Sequence, residues 1–153
     1  MLTVALFGVV LVVLTTVIHY EVLRGLSMAL PRLAVPARSR LMVVIIATFV
    51  AHTSQIILYA LAFLILEHWA GLGGLGQAGP LGFASTLYFS AETYTSLGYG
   101  DVTPSGDLRM LAGIEALNGL LLIGWSASYT YIAMERFWKE DGPADRTAKG
   151  GER

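Results

Sequence analysis

The reading of this chain turns on Glu92-Thr93-Tyr94-Thr95-Ser96-Leu97-Gly98-Tyr99-Gly100-Asp101-Val102-Thr103-Pro104. Two glycines bracket a tyrosine, hydroxyl residues precede them, an acid follows, and a long apolar segment stands on either side. Glycine supplies backbone angles that a residue with a Cβ avoids. A Gly-Tyr-Gly run between apolar segments is therefore no ordinary surface turn. Irregular backbone at membrane depth is tolerated only inside protein or along a water-filled path.

Those flanks set the class. The chain has 153 residues, 55% of them hydrophobic and 14% charged, against about 25% charged in soluble domains. Its net charge of −1 points to neither nucleic acid nor a strongly acidic partner. With no cysteine, disulfides, Cys-based metal sites and thiol catalysis are excluded. Leu2 to Tyr20, Leu41 to Leu66, and Met110 to Met134 with its single Glu115 are each long enough to cross a bilayer, which takes about 20 apolar residues. The first segment lacks the basic n-region and small-x-small site of a cleaved signal, so a retained span is expected.

Arginine placement predicts orientation. Arg24, Arg32, Arg38 and Arg40 crowd the first link; Arg136, Lys139, Arg146, Lys149 and Arg153 follow the last span; none lies between Arg40 and Arg109. Basic ends face the cytoplasm, which puts the N-terminus outside, the C-terminus inside, and the Glu67 to Arg109 segment outside. Trp69 and Phe137-Trp138 sit where interfacial aromatics are expected.

The expected organisation is an added first span over 1–30, ended by Pro31, and a basic linker over 31–40. An outer helix follows over 41–66, then a flexible Gly-rich turret over 67–80. Pro80 is placed to open a short descending helix over 82–95, too short to cross, followed by the irregular segment 96–101. A second long helix covers 108–136, and a polar tail over 137–153 is expected to be disordered.

The quoted motif resembles the selectivity filter of potassium channels, where four copies present rings of backbone carbonyls to a dehydrated K⁺ ion. The resemblance covers Leu41 to about Arg136: outer helix, pore helix, filter and inner helix. It implies an all-α membrane protein, three spans plus a re-entrant pore helix, assembled as a homotetramer by closed fourfold symmetry. Carbonyls of Ser96, Leu97, Gly98 and Tyr99 would line the K⁺ sites, with the Ser96 hydroxyl at the innermost one and Gly100 closing the run. Most members carry Thr and Val where this chain has Ser96 and Leu97, so the innermost site is expected to be looser, and Leu97 to test packing more than selectivity. Tyr88, Glu92, Thr95 and Asp101 would support the filter, Glu92 and Asp101 as a close carboxylate pair of which one keeps a proton, and Tyr88 as a donor to Asp101. Family members often have a hinge glycine in the inner helix; Gly119 falls within a residue of that spacing, and Gly124 follows. Gly119 reads equally as a packing site.

The resemblance further implies a multi-pass protein of the cell membrane, plasma or bacterial inner, with the lipid bilayer as its setting and K⁺ as permeant ion. No cofactor, small-molecule substrate, nucleic acid or enzymatic chemistry is expected. A weakly selective cation channel and a non-conducting modulatory subunit are the alternatives. No span carries the periodic arginines of a voltage sensor. Glu115 is the formal charge inside a span, and such acids face protein or water and have a partner. Counting rise per residue from the span ends brings it level with His52, so a Glu115–His52 pair is expected, with Gln55 or a pore-helix hydroxyl as fallback, or else four Glu115 carboxylates near a cavity. His52 itself reads most simply as a hydrogen-bond partner between helices.

Overall fold

A computed structural model describes residues 1–32, 36–76 and 82–140. Its helices are α1 (Leu2–Ala29), α2 (Ala37–Ala70), α3 (Phe83–Tyr94) and α4 (Leu108–Glu140), with a 3₁₀ turn at Leu30–Arg32 after α1. Pro31 explains that turn, because it offers no N–H to continue the helical ladder. α1, α2 and α4 are long and apolar enough to cross a membrane. At 12 residues, α3 reaches about 18 Å at 1.5 Å per residue and is too short to do so.

α1 packs against both α2 and α4, and α3 lies between α2 and α4. The Met1 amino group bonds the Asp107 carboxylate, so α1 and α4 begin side by side. Two apolar cores result. One, at that end, joins Val4 and Leu11 to Tyr59, Phe63 and Leu66 of α2, Phe89 and Tyr94 of α3, and Leu108 and Leu111 of α4. The other joins Leu23, Leu26 and Leu30 to Val44, Ala133 and Phe137 at the opposite end. Between them lies a belt of buried polar side chains: Thr15 and His19 of α1, Gln55 of α2, Asn118 and Ser126 of α4.

Three sequence expectations need correction. The long helices overrun their predicted bounds: α2 begins in the expected linker and continues beyond 66, and α4 runs past 136 into the expected tail. The apolar run is limited by bilayer thickness, but helical hydrogen bonding continues past it for as long as no breaker intervenes. The turret is tied down over its first half. Gly76 N–H donates to the Thr103 carbonyl (3.1 Å), Ser105 N–H to that of Gly74 (2.9 Å) and Asp107 N–H to that of Leu72 (2.9 Å). Glu67, at the end of α2, accepts from Leu75 N–H at 3.0 Å. The predicted roles of Pro80 and of the tail beyond Glu140 lie outside the described residues.

Candidate functional site

α3 ends where Thr95 N–H caps onto the Ala91 carbonyl and the Thr95 hydroxyl donates to the same oxygen at 2.7 Å. Ser96 then leaves the helix with φ 56, a left-handed value unusual for a residue with a Cβ. Gly98 (φ 57) and Gly100 (φ 82) repeat that sign, and Leu97 and Tyr99 between them do not. In an ordinary strand successive residues reverse direction; a change of hand at every second residue undoes that reversal.

Glu92 organises the result. Its carbonyl accepts from Leu97 N–H at 2.8 Å and Gly98 N–H at 3.4 Å, and its Oε2 accepts from Tyr99 N–H at 3.1 Å. In a trans peptide the N–H and the preceding carbonyl point in opposite directions. Three N–H groups gathered on Glu92 therefore send the carbonyls of Ser96, Leu97 and Gly98 to the other side. Glu92 is buried, whereas Leu97 is 57% and Tyr99 68% exposed, so those carbonyls belong to a segment that this chain alone leaves uncovered. The negative end of the α3 dipole points at the same segment.

The other site residues divide. Tyr88 donates to Asp101 Oδ1 at 3.3 Å, the contact expected from sequence, and Val102 N–H reaches the same oxygen at 3.1 Å. The Glu92 carboxylate accepts from Tyr99 N–H, and Asp101 is exposed beyond Gly100. Gly119 is a packing position: a Cβ there would lie 2.1 Å from the Tyr94 carbonyl oxygen. Gly124 has open space around it, and α4 runs unbroken through both.

The Glu115–His52 pair is not formed. Ser90 of α3 donates to Glu115 Oε1 at 2.5 Å, the pore-helix hydroxyl of the fallback. Glu115 is fully buried within the chain, which also rules out its lining a cavity. The depth count failed because it measured two helices, both longer than the apolar core, from opposite ends. Counted from the shared end, His52 is as far from Ala70 as Ser126 is from Leu108, and Ser126 is indeed its neighbour on α4 at 2.9 Å.

Sequence reasoning missed the polar belt around His52. Its Nδ1 lies 2.9 Å from the Tyr94 hydroxyl and 3.2 Å from Gln55 Oε1. Tyr94 also donates to Gln55 Oε1. His19 of α1 lies 3.2 Å from Gln55 Nε2 and 3.1 Å from the Ser126 hydroxyl. Asn118 donates to the Thr15 hydroxyl at 2.8 Å and to Tyr59 at 3.1 Å. Thr15 and His19 stand four apart, His52 and Gln55 three apart, so each pair shares a helix face. Polar residues so paired in apolar spans were the available signal.

No curated protein and no solved structure matches the chain. A family model described as "Ion channel" matches residues 40–136. The match takes in all of α3 and most of α2 and α4, and leaves α1 outside it. A short helix held between two spans, handing over to an exposed turn of alternating backbone hand, is an arrangement suited to that family, and the chain belongs to the ion channel family.

Proposed function

We propose that the chain is one subunit of a homotetrameric, potassium-selective channel that conducts K⁺ passively across the cell membrane. One observation carries this reading: three successive N–H groups, those of Leu97, Gly98 and Tyr99, converge on Glu92. The carbonyls of Ser96, Leu97 and Gly98 are thereby presented together on the uncovered side. Carbonyl rings replace the hydration shell of K⁺ in selective pores. One chain supplies one wall of such a ring, and fourfold closure supplies the rest. α3 acts as the pore helix, its negative end towards the ion path. α2 and α4 act as outer and inner helices, with the N-terminus outside and the C-terminus cytoplasmic by the arginine bias. K⁺ is the permeant ion, and no covalent chemistry is assigned.

The test is ion flux from liposomes holding the purified full chain. K⁺ uptake far exceeding Na⁺ uptake is expected. Equal K⁺ and Na⁺ uptake would replace this reading with that of a weakly selective cation channel, which Ser96 in place of the family's usual Thr would favour. Absence of flux from verified tetramers would leave a modulatory subunit.

A further inference from the structure

α1 lies outside the family match, yet its His19 bonds Gln55, which in turn accepts from Tyr94 at the end of α3. We propose that His19, Ser126, His52, Tyr94 and Gln55 form a closed hydrogen-bond circuit through which α1 positions the C-terminal end of α3, and with it residues 95–100. This makes the first helix a working part of the conducting unit; the proposal rests on the conduction reading above.

The direction of the circuit follows from what each atom can do. Gln55 Nε2 lies 3.4 Å from the Thr15 carbonyl, which only accepts, so this end of the amide is the donor. Facing the same nitrogen, His19 Nδ1 must accept. His19 Nε2 then carries the proton and donates to the Ser126 oxygen at 3.1 Å. Ser126 in turn donates to His52 Nε2 at 2.9 Å. His52 Nδ1 carries its proton and donates to the Tyr94 oxygen at 2.9 Å. Tyr94 closes the ring by donating to Gln55 Oε1. Running the circuit the other way would set an imidazole N–H against the amide NH₂. One direction alone satisfies every member, and it does so with both imidazoles neutral.

Leverage comes from Tyr94. It ends α3, its carbonyl is pressed against Gly119 of α4, and Glu92, on which three segment N–H groups converge, lies two residues before it. His19, Gln55 and Tyr94 are fully buried, so a broken link leaves an orphaned polar group. An added proton has the same effect. On His19 Nδ1 it would face the Gln55 amide donor; on His52 Nε2 it would force the Ser126 hydroxyl to turn away. The titratable groups facing the circuit are His19 of α1, His52 and Tyr59 of α2 and Tyr94 of α3. Glu115 of α4 lies nearer the start of its helix, held by Ser90. No Asp, Glu, Lys or Arg among the described residues hydrogen-bonds to a member of the circuit. His52 and Ser126 also edge a groove of about 570 Å³ between α2 and α4, flanked by Thr48 and Thr130.

The full-length protein should be compared with Ser126→Ala, which removes two links, His19→Phe, which keeps ring shape, and Ser126→Thr, which keeps the hydroxyl. At about pH 7.5 we expect Ser126→Ala and His19→Phe to lose about fivefold to tenfold in K⁺ flux, the scale of one hydrogen bond, and Ser126→Thr to retain most of it. Wild-type flux should fall on acidification once either imidazole is forced to take up a proton, while the two broken variants stay flat. Wild-type rates and pH profiles in both broken variants would overturn the proposal. Amide hydrogen exchange at residues 92–99 gives a readout independent of flux, and should be faster in Ser126→Ala. If the wild type carries no K⁺, the conduction reading falls by itself and exchange decides the circuit: unchanged exchange overturns it.

Discussion

The segment from Glu92 to Asp101 and the polar belt around His52 share Tyr94 and Glu92's helix, yet they are built on opposite plans. In the belt, His19 and Gln55 have no exposure and their side-chain donors and acceptors are paired within the chain. In the segment every residue from Thr95 to Asp101 is exposed, and the carbonyls turned from Glu92 meet nothing in this subunit. The belt is finished by folding; in the tetrameric channel proposed above, the segment is finished by assembly. Buried polar groups must be satisfied where they lie, whereas in that proposal the segment's carbonyls wait for an ion and three further copies. Mutations should therefore separate by stability: belt changes lower it, including those that also reach the segment through Tyr94, whereas segment changes act on conduction alone.

The widest separation is expected at Gly98→Ala. The left-handed φ of 57 penalises any side chain, yet nothing lies within 4 Å of the added Cβ. Backbone strain of about 1–3 kcal/mol per copy, repeated fourfold in one ring, should cut K⁺ flux by about a hundredfold or more. The segment is exposed and can relieve that strain by a local change of shape, so thermal unfolding of the subunit should barely move. Normal K⁺ selectivity in this variant would remove the segment from the ion path.

Gly119→Ala is the converse. Its Cβ would fall 2.1 Å from the Tyr94 carbonyl oxygen, and overpacking of this kind costs about 1–3 kcal/mol. Reduced unfolding stability in detergent is expected, with any loss of flux following from it. Unchanged stability together with altered opening would return Gly119 to the hinge role.

The same contrast explains what could be read from the sequence. Three spans, a short fourth helix and an irregular segment were legible because apolar length, glycine chemistry and Pro31 act locally. The Tyr88–Asp101 contact followed from the resemblance, and the structure holds it at 3.3 Å. The belt was illegible because its partners come from different helices, and choosing them needs relative depth. Span boundaries drawn from hydropathy stop short of the helix ends in α2 and α4, and at 1.5 Å per residue a few residues of error exchange one partner for another. That is how Glu115 was assigned to His52 when Ser90 holds it.

Double-mutant cycles sharpen the belt side. Ser90→Ala with Glu115→Gln should be non-additive, with a coupling of about 1 kcal/mol, in the range found between membrane helices. His52→Asn with Glu115→Gln should be additive within about 0.5 kcal/mol. Reversed results, read by unfolding of the tetramer, would restore the pairing expected from depth alone.

The smallest effect is expected at Tyr88→Phe, and it tests the boundary between the two regions. Tyr88 is 41% exposed, and its bond to Asp101 is 3.3 Å long, between groups that are both open to solvent in this chain. Water competes for such a bond, so its net worth lies at or below about 0.5 kcal/mol, the low end for intramolecular hydrogen bonds. Subunit stability should be unchanged, and K⁺ flux should stay within about twofold of wild type. That expectation holds only if Tyr88 and Asp101 remain wet after assembly. If a neighbouring copy covers them, the bond acquires the value of a buried charge-assisted one, about 1.5–3 kcal/mol, and flux should then fall about tenfold with stability of the isolated subunit still unchanged. Flux against pH in Tyr88→Phe and Asp101→Asn, measured alongside tetramer melting, distinguishes the two cases. A large effect on flux and tetramer melting would extend the assembly-completed region back from the segment on to the face of α3. A small one would leave Glu92 as the anchor supplied from within the chain.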